Sequence, residues 1–176
     1  TAKLTINLSA IEHNIAYYKS LTKPETKIMA VIKGSAYGSG AEAIGQLLEH
    51  KGIDYLSVAN IDEGKQLRQA GVSLPLVILN PDGLFVEELL QNKLEVEVFS
   101  LYQLQNLLSE LYNQEGQLNI HLKLDTGMHR LGFMEEEITK LAQLLLANET
   151  SIHVSSIFSH LASSEDSNDD FYTSAQ

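Results

Sequence analysis

Strand-length apolar runs alternate with stretches of helical apolar spacing along nearly the whole chain, and this alternation limits the folds it can adopt. The strand readings are Ile28–Ile32, Tyr55–Asn60, Leu76–Leu79, Leu94–Phe99, Asn119–Asp125 and Ile152–His160. Helices are read at Ala41–His50, Ile61–Ala70, Leu84–Gln91, Leu101–Tyr112 and Glu135–Asn148, the fourth with a stripe at Leu101, Leu104, Leu107, Leu108 and Leu111. Apolar runs bounded by turn residues suit strands buried on both faces, as in a parallel sheet. Repeated strand and helix place helices outside such a sheet, and right-handed crossovers leave an open doubly wound sheet or a barrel. A closed (β/α)8 barrel takes about 250 residues. About six units in 176 residues run at that rate with two units missing, so the expected fold is α/β, a partial (β/α)8 TIM-type barrel.

Residues 1–8 stand apart, with Leu4, Ile6 and Leu8 alternating as a short strand expected to belong with a carboxy-terminal β-domain outside this segment; residues 9–176 then form the incomplete barrel domain. Ser9 and Glu12 have capping-box spacing for a first helix that Pro24 stops. Asn80-Pro81-Asp82-Gly83 reads as a turn, and Ser163 to Asp170 as a polar loop leading to Phe171 and Tyr172. The first residue is threonine and the last residues do not look like a terminus, so a segment of a longer protein is expected.

With 23 acidic against 12 basic residues the formal charge is −11, which repels nucleic acid and anionic membrane and leaves a small molecule as the better partner. There is no cysteine, so disulfide and thiolate chemistry are excluded. Neither a signal peptide nor a membrane-spanning run is present, and a cytoplasmic location is the default expectation. The six histidines lack paired spacing, so no metal site is expected.

Two stretches carry chemistry. In the first, the apolar run Ile28 to Ile32 ends in Lys33 and a glycine-rich turn, Gly34-Ser35-Ala36-Tyr37-Gly38-Ser39-Gly40. Ligands sit at the carboxyl ends of strands in such units, where a lysine can form a Schiff base with an aldehyde cofactor; taken alone, Lys33 reads equally as a lysine escaping to solvent. The glycines lack dinucleotide-loop spacing. In the second, His121 to Asp125 alternates polar and apolar residues. His121, Lys123 and Asp125 therefore share an inward face, as a structural ion pair or as part of a site. Glu95 and Glu97 read as inward or solvent-facing.

Ala30-Val31-Ile32-Lys33 with Ala36-Tyr37-Gly38 resembles the pyridoxal-phosphate lysine motif of alanine racemases. The resemblance implies that Lys33 carries the cofactor and that Tyr37 touches its phosphate. Ser35 and Ser39 depart from the asparagine and histidine common there. Lys123-Leu-Asp-Thr-Gly-Met128, one residue, then Arg130-Leu-Gly resembles the family's substrate-side motif. It implies catalytic and substrate-binding roles for Arg130, a backbone contact from Met128 to the substrate carboxylate, and carbamylation of Lys123 as in many members. His129 replaces a residue that is usually glycine. Phe158 to Ala162 resembles the segment whose histidine stacks near the cofactor ring, here His160; a lone strand-end histidine is otherwise more often satisfied in a core.

The resemblance implies interconversion of L-alanine and D-alanine for peptidoglycan precursors by a bacterial homodimer. Lys23 to Lys27 further resembles racemase halves fused to a cell-wall ligase. The isolated chain is expected to be inactive, since the second-face base and the last two strands would lie outside it. A non-catalytic pyridoxal-phosphate homeostasis protein on a related barrel, and an α/β binding module without cofactor, remain the rival readings.

Overall fold

The computed structural model describes residues 2–81 and 85–176. They divide into two compact units, Thr1–Pro81 with Asn92–Leu94, and Asp82–Gln91 with Glu95–Gln176.

The first unit contains α1 (Leu8–Leu21), β1 (Met29–Val31), a helical turn α2 (Lys33–Gly38), α3 (Ala41–His50), β2 (Tyr55–Val58), α4 (Ile61–Gln69) and β3 (Leu76–Ile78). β2 pairs in parallel with both β1 and β3, with Ala30 opposite Leu56 and Ser57 opposite Val77. Leu56, Val58, Leu67, Leu76 and Ile78 are fully buried around these strands. Arg68 ties the unit's loops together, because its planar fork donates to the carbonyls of Val72, Leu74, Asn92 and Lys93 at 2.7–3.0 Å.

The second unit contains α5 (Val86–Gln91), β4 (Leu94–Val98, whose first residue belongs with the first unit), α6 (Leu101–Leu111) and β5 (Leu118–Lys123). A 3-10 turn at Glu135–Glu137 leads into α7 (Ile138–Ala147), followed by β6 (Ile152–Phe158), a second 3-10 turn at Ser167–Asp169 and α8 (Asp170–Ala175). β5 pairs in parallel with β4 and β6, and its register against β6 shifts between Ile120 and His121. Val96, Val98, Leu104, Leu107, Ile120 and Phe133 make its core. No helix among the described residues is long and apolar enough to cross a membrane.

Several expectations need correction. Residues 2–7 form no strand, because they have no ladder partner among the described residues, and Leu4 is exposed. α1 starts earlier than Ser9, since Asn7 is the cap and its Oδ1 accepts the Ala10 N–H at 3.3 Å. β1 is not buried on both faces: it pairs with β2 alone among the described residues, and Met29 and Val31 stay exposed. Strand readings that ran through Asn60 and Phe99 are too long, because Asn60 turns to cap α4 and Ser100, directly after Phe99, turns to cap α6. Phe171 and Tyr172 lie in a short helix, and Asp82, Gly83 and Leu84 lie outside the described residues.

Candidate active site

Lys33 leaves β1 on a turn of unusual hand. After the last ladder bond, from the Ile32 N–H to the Ser57 carbonyl at 2.9 Å, residues 34–37 all lie in the left-handed region, with φ of +63°, +51°, +52° and +55°. Left-handed geometry costs L-residues about 1–2 kcal/mol each, and Ser35, Ala36 and Tyr37 all bear it. Offsetting bonds run from Ala36 N–H to Ile32 carbonyl (2.8 Å) and from Gly40 N–H to Ser35 carbonyl (2.9 Å). Ala36 is buried, pinning the turn to the core, while Lys33 and Tyr37 project outward and Tyr37 is 70% exposed. The Lys33 amine and the Tyr37 hydroxyl make no hydrogen bond or ion pair among the described residues, so both are available to a ligand. Asparagine tolerates left-handed geometry better than serine, which gives a physical meaning to Ser35: it occupies that conformation without an amide's help.

The second motif forms a tight turn beyond β5. Leu124 bridges Phe133, the Asp125 N–H donates to the Phe133 carbonyl (3.0 Å) and the Phe133 N–H to the Lys123 carbonyl (2.8 Å). Such close backbone approach requires glycine at 132, where φ is +141° and a Cβ would lie 2.3 Å from the Asp125 nitrogen. Inside the turn Asp125 Oδ1 accepts the N–H groups of both Gly127 and His129 at 3.0 Å. These bonds, His129 first, hold the Asp125 carboxyl below its ordinary value of 3.8, against a smaller opposing effect of desolvation. The intervening Met128 N–H takes no partner among the described residues, which leaves a backbone donor free. Arg130 is exposed and also unpartnered among them. His160, two residues past β6, is likewise exposed and without a partner. A neighbouring cavity of about 520 Å³ is lined by Asp125, Glu135 and Glu136, charges unsuited to a carboxylate or phosphate.

The inward face of β5 is a buried polar layer. Lys123 Nζ bonds Glu97 Oε1 at 2.8 Å and lies 5.7 Å from the Phe158 ring centroid. His121 joins Glu95 through Nε2 at 2.6 Å and Ser156 through Nδ1 at 2.7 Å, and the Asn119 amide also donates to Glu95. Lys123 therefore pairs with Glu97, and the alternative of a Lys123–Asp125 pair is not formed because Asp125 is engaged with the turn's backbone. Both glutamates point inward. The Leu-Glu-Val-Glu-Val alternation of β4 puts both on one face, and the parallel register sets Glu97 opposite His121.

Lys33 and Tyr37 thus share the first unit, while Lys123, Met128, Arg130 and His160 belong to the second. Glu63, which touches the lysine turn, is not marked by either motif; its one signal in the chain is the Asn60-x-x-Glu63 capping spacing.

Parallel strands joined by helices, with an unpartnered lysine at a strand's carboxyl end, define an α/β protein with its candidate site at the strands' carboxyl ends. The chain belongs to the alanine racemase family: residues 6–176 match the family described as alanine racemase, N-terminal domain. It is 31% identical over 172 residues to alanine racemase 1 of Caldanaerobacter subterraneus subsp. tengcongensis, covering 96% of this chain and 44% of that protein. With the alanine racemase of Methanococcus maripaludis it shares 34% identity, over 97% of this chain and 46% of the relative. The solved alanine racemase of Clostridium difficile 630 superposes with a TM-score of 0.84 at 33% identity, covering 98% of this chain and 48% of that one. That from E. faecalis gives 0.86 at 30% identity, covering 97% and 46%. The chain therefore spans about half the length of the relatives it matches, and its six parallel strands correspond to part of their barrel.

Proposed function

We propose that this chain is the cofactor-lysine portion of a pyridoxal-phosphate-dependent racemase that interconverts L-alanine and D-alanine, supplying D-alanine for peptidoglycan precursors in the cytoplasm. The observation that carries the reading is the exposed, unpartnered Lys33 amine at the exit of β1, with the unpartnered Tyr37 hydroxyl on the same turn. These residues fit the group, since an aldehyde needs a free primary amine and a phosphate needs a hydroxyl donor. When bound, the cofactor supplies an electron sink that acidifies the Cα–H bond of the amino acid.

Each remaining task falls to the protein. Lys33 would hold the cofactor by Nζ, and its amine, once released, can hold a proton taken from one face of Cα. Tyr37 would donate to the phosphate, and His160 would pack against the ring. The free Met128 N–H suits a substrate carboxylate, and the exposed Arg130 guanidinium offers a fixed, permanently charged fork to an anionic oxygen. The base for the opposite face belongs, in this reading, to the carboxy-terminal domain of a partner subunit in a homodimer. Incubating the full-length protein with L-alanine and pyridoxal phosphate tests the proposal through a D-alanine-specific readout. Sustained formation of D-alanine supports it; cofactor binding without turnover would support a non-catalytic cofactor-binding protein instead.

A further inference from the structure

We propose that Glu63 is a positioning residue for Lys33, a role that rests on reading Lys33 as the cofactor lysine. Its backbone is fixed first: the Glu63 N–H donates to Asn60 Oδ1 at 3.0 Å, where Asn60 caps α4. From there the half-buried carboxylate divides its oxygens between two strand exits. Oε2 accepts the Ala59 N–H at 2.8 Å, just after β2. Oε1 accepts the N–H groups of Gly34 at 2.7 Å and Ser35 at 3.2 Å, directly after Lys33.

The Ala59 contact by itself is ordinary and local, joining the residue just before the Asn60 cap to a side chain four positions on. The other two are not, because they reach back 29 and 28 residues to the first N–H groups of the left-handed turn. The first N–H groups of a helical turn have no acceptor within it. Successive N–H groups in such a turn form a concave donor site for an anion, and a carboxylate makes stronger bonds to them than a neutral acceptor does. Glu63 thus supplies from outside what this disfavoured turn lacks, and so fixes the direction in which Lys33 and Tyr37 leave β1. An amide of the same size cannot substitute. Glutamine has a single acceptor oxygen, so its NH2 group would face a backbone donor either at Ala59 or at Gly34 and Ser35.

The test compares wild type, Glu63→Gln and Glu49→Gln in the cofactor-free full-length protein. Glu49 is a control within the same unit, where it accepts the N–H and hydroxyl of Ser73. Amide hydrogen exchange is read at Gly34 and Ser35, and pyridoxal phosphate with borohydride then measures the rate at which Lys33 is labelled. Glu63→Gln should speed exchange at these two amides by about tenfold or more, the size expected for losing a charged acceptor, with β2 amides changing little. Labelling of Lys33 should slow by a similar factor, and Glu49→Gln should do neither. Unchanged exchange at Gly34 and Ser35, a rise shared evenly across the unit, or an unchanged labelling rate would overturn the proposal. If wild type takes no label at Lys33, the cofactor reading fails, and the exchange result alone decides for or against the brace.

Discussion

His129 is bound twice to Asp125: its N–H meets Oδ1 at 3.0 Å and its ring Nδ1 lies 3.3 Å from Oδ2. This explains a side chain at a position with φ of +56°, where glycine is the usual occupant. The turn's stability should therefore depend on the Asp125 charge. A carboxyl whose folded pKa is lowered contributes stability above its unfolded value, near 3.8, and loses it as pH falls through the lower folded value. The stability gap between wild type and Asp125→Ala, measured by chemical denaturation, should be widest at neutral pH and shrink as pH drops below that value.

Gly132→Ala should destabilise the second unit by about 3 kcal/mol, since the new Cβ would meet the backbone of Leu124 and Asp125 and φ is unfavourable as well. Urea unfolding measures it. A change below about 0.5 kcal/mol, the usual range for a surface substitution, would mean that the turn opens freely.

The fold was legible where periodicity met burial. The stripe of α6 and the burial of β2 and β3 needed only apolar spacing, and the Lys33 and Lys123–Gly132 motifs stood out in the chain itself. The interior charges were ambiguous, because alternation along β4 shows that Glu95 and Glu97 share a face without saying whether that face is buried along with the apolar one. Only the parallel register that sets Glu97 beside His121 decides it. The left-handed run at 34–37 was equally hidden: three of its four residues are not glycine, and its stabilising acceptor, Glu63, lies on another helix.

Lys123 and Glu97 should behave as a coupled buried pair. Lys123→Met alone should cost about 3–5 kcal/mol by stranding a carboxylate, and adding Glu97→Gln should recover much of that loss. The same geometry opposes carbamylation here, since a carbamate on Lys123 would set a second anion against Glu97 in a buried layer. With isotope-labelled bicarbonate, NMR should show no carbamate on Lys123 in wild type. A stoichiometric carbamate would contradict this.

Arg130→Lys in the full-length protein should lower kcat/KM for alanine by about tenfold or more, because an ammonium lacks the planar fork. Activity within about twofold of wild type would assign Arg130 to the solvated surface.

The proposed chemistry stands or falls with Lys33 as the residue that bonds the cofactor. Borohydride reduction of the full-length protein with pyridoxal phosphate, followed by proteolysis and mass mapping, tests it most directly. One pyridoxyl group per chain is expected, on Lys33, and none in Lys33→Ala. A label on another lysine, or stoichiometric labelling that survives Lys33→Ala, would contradict it.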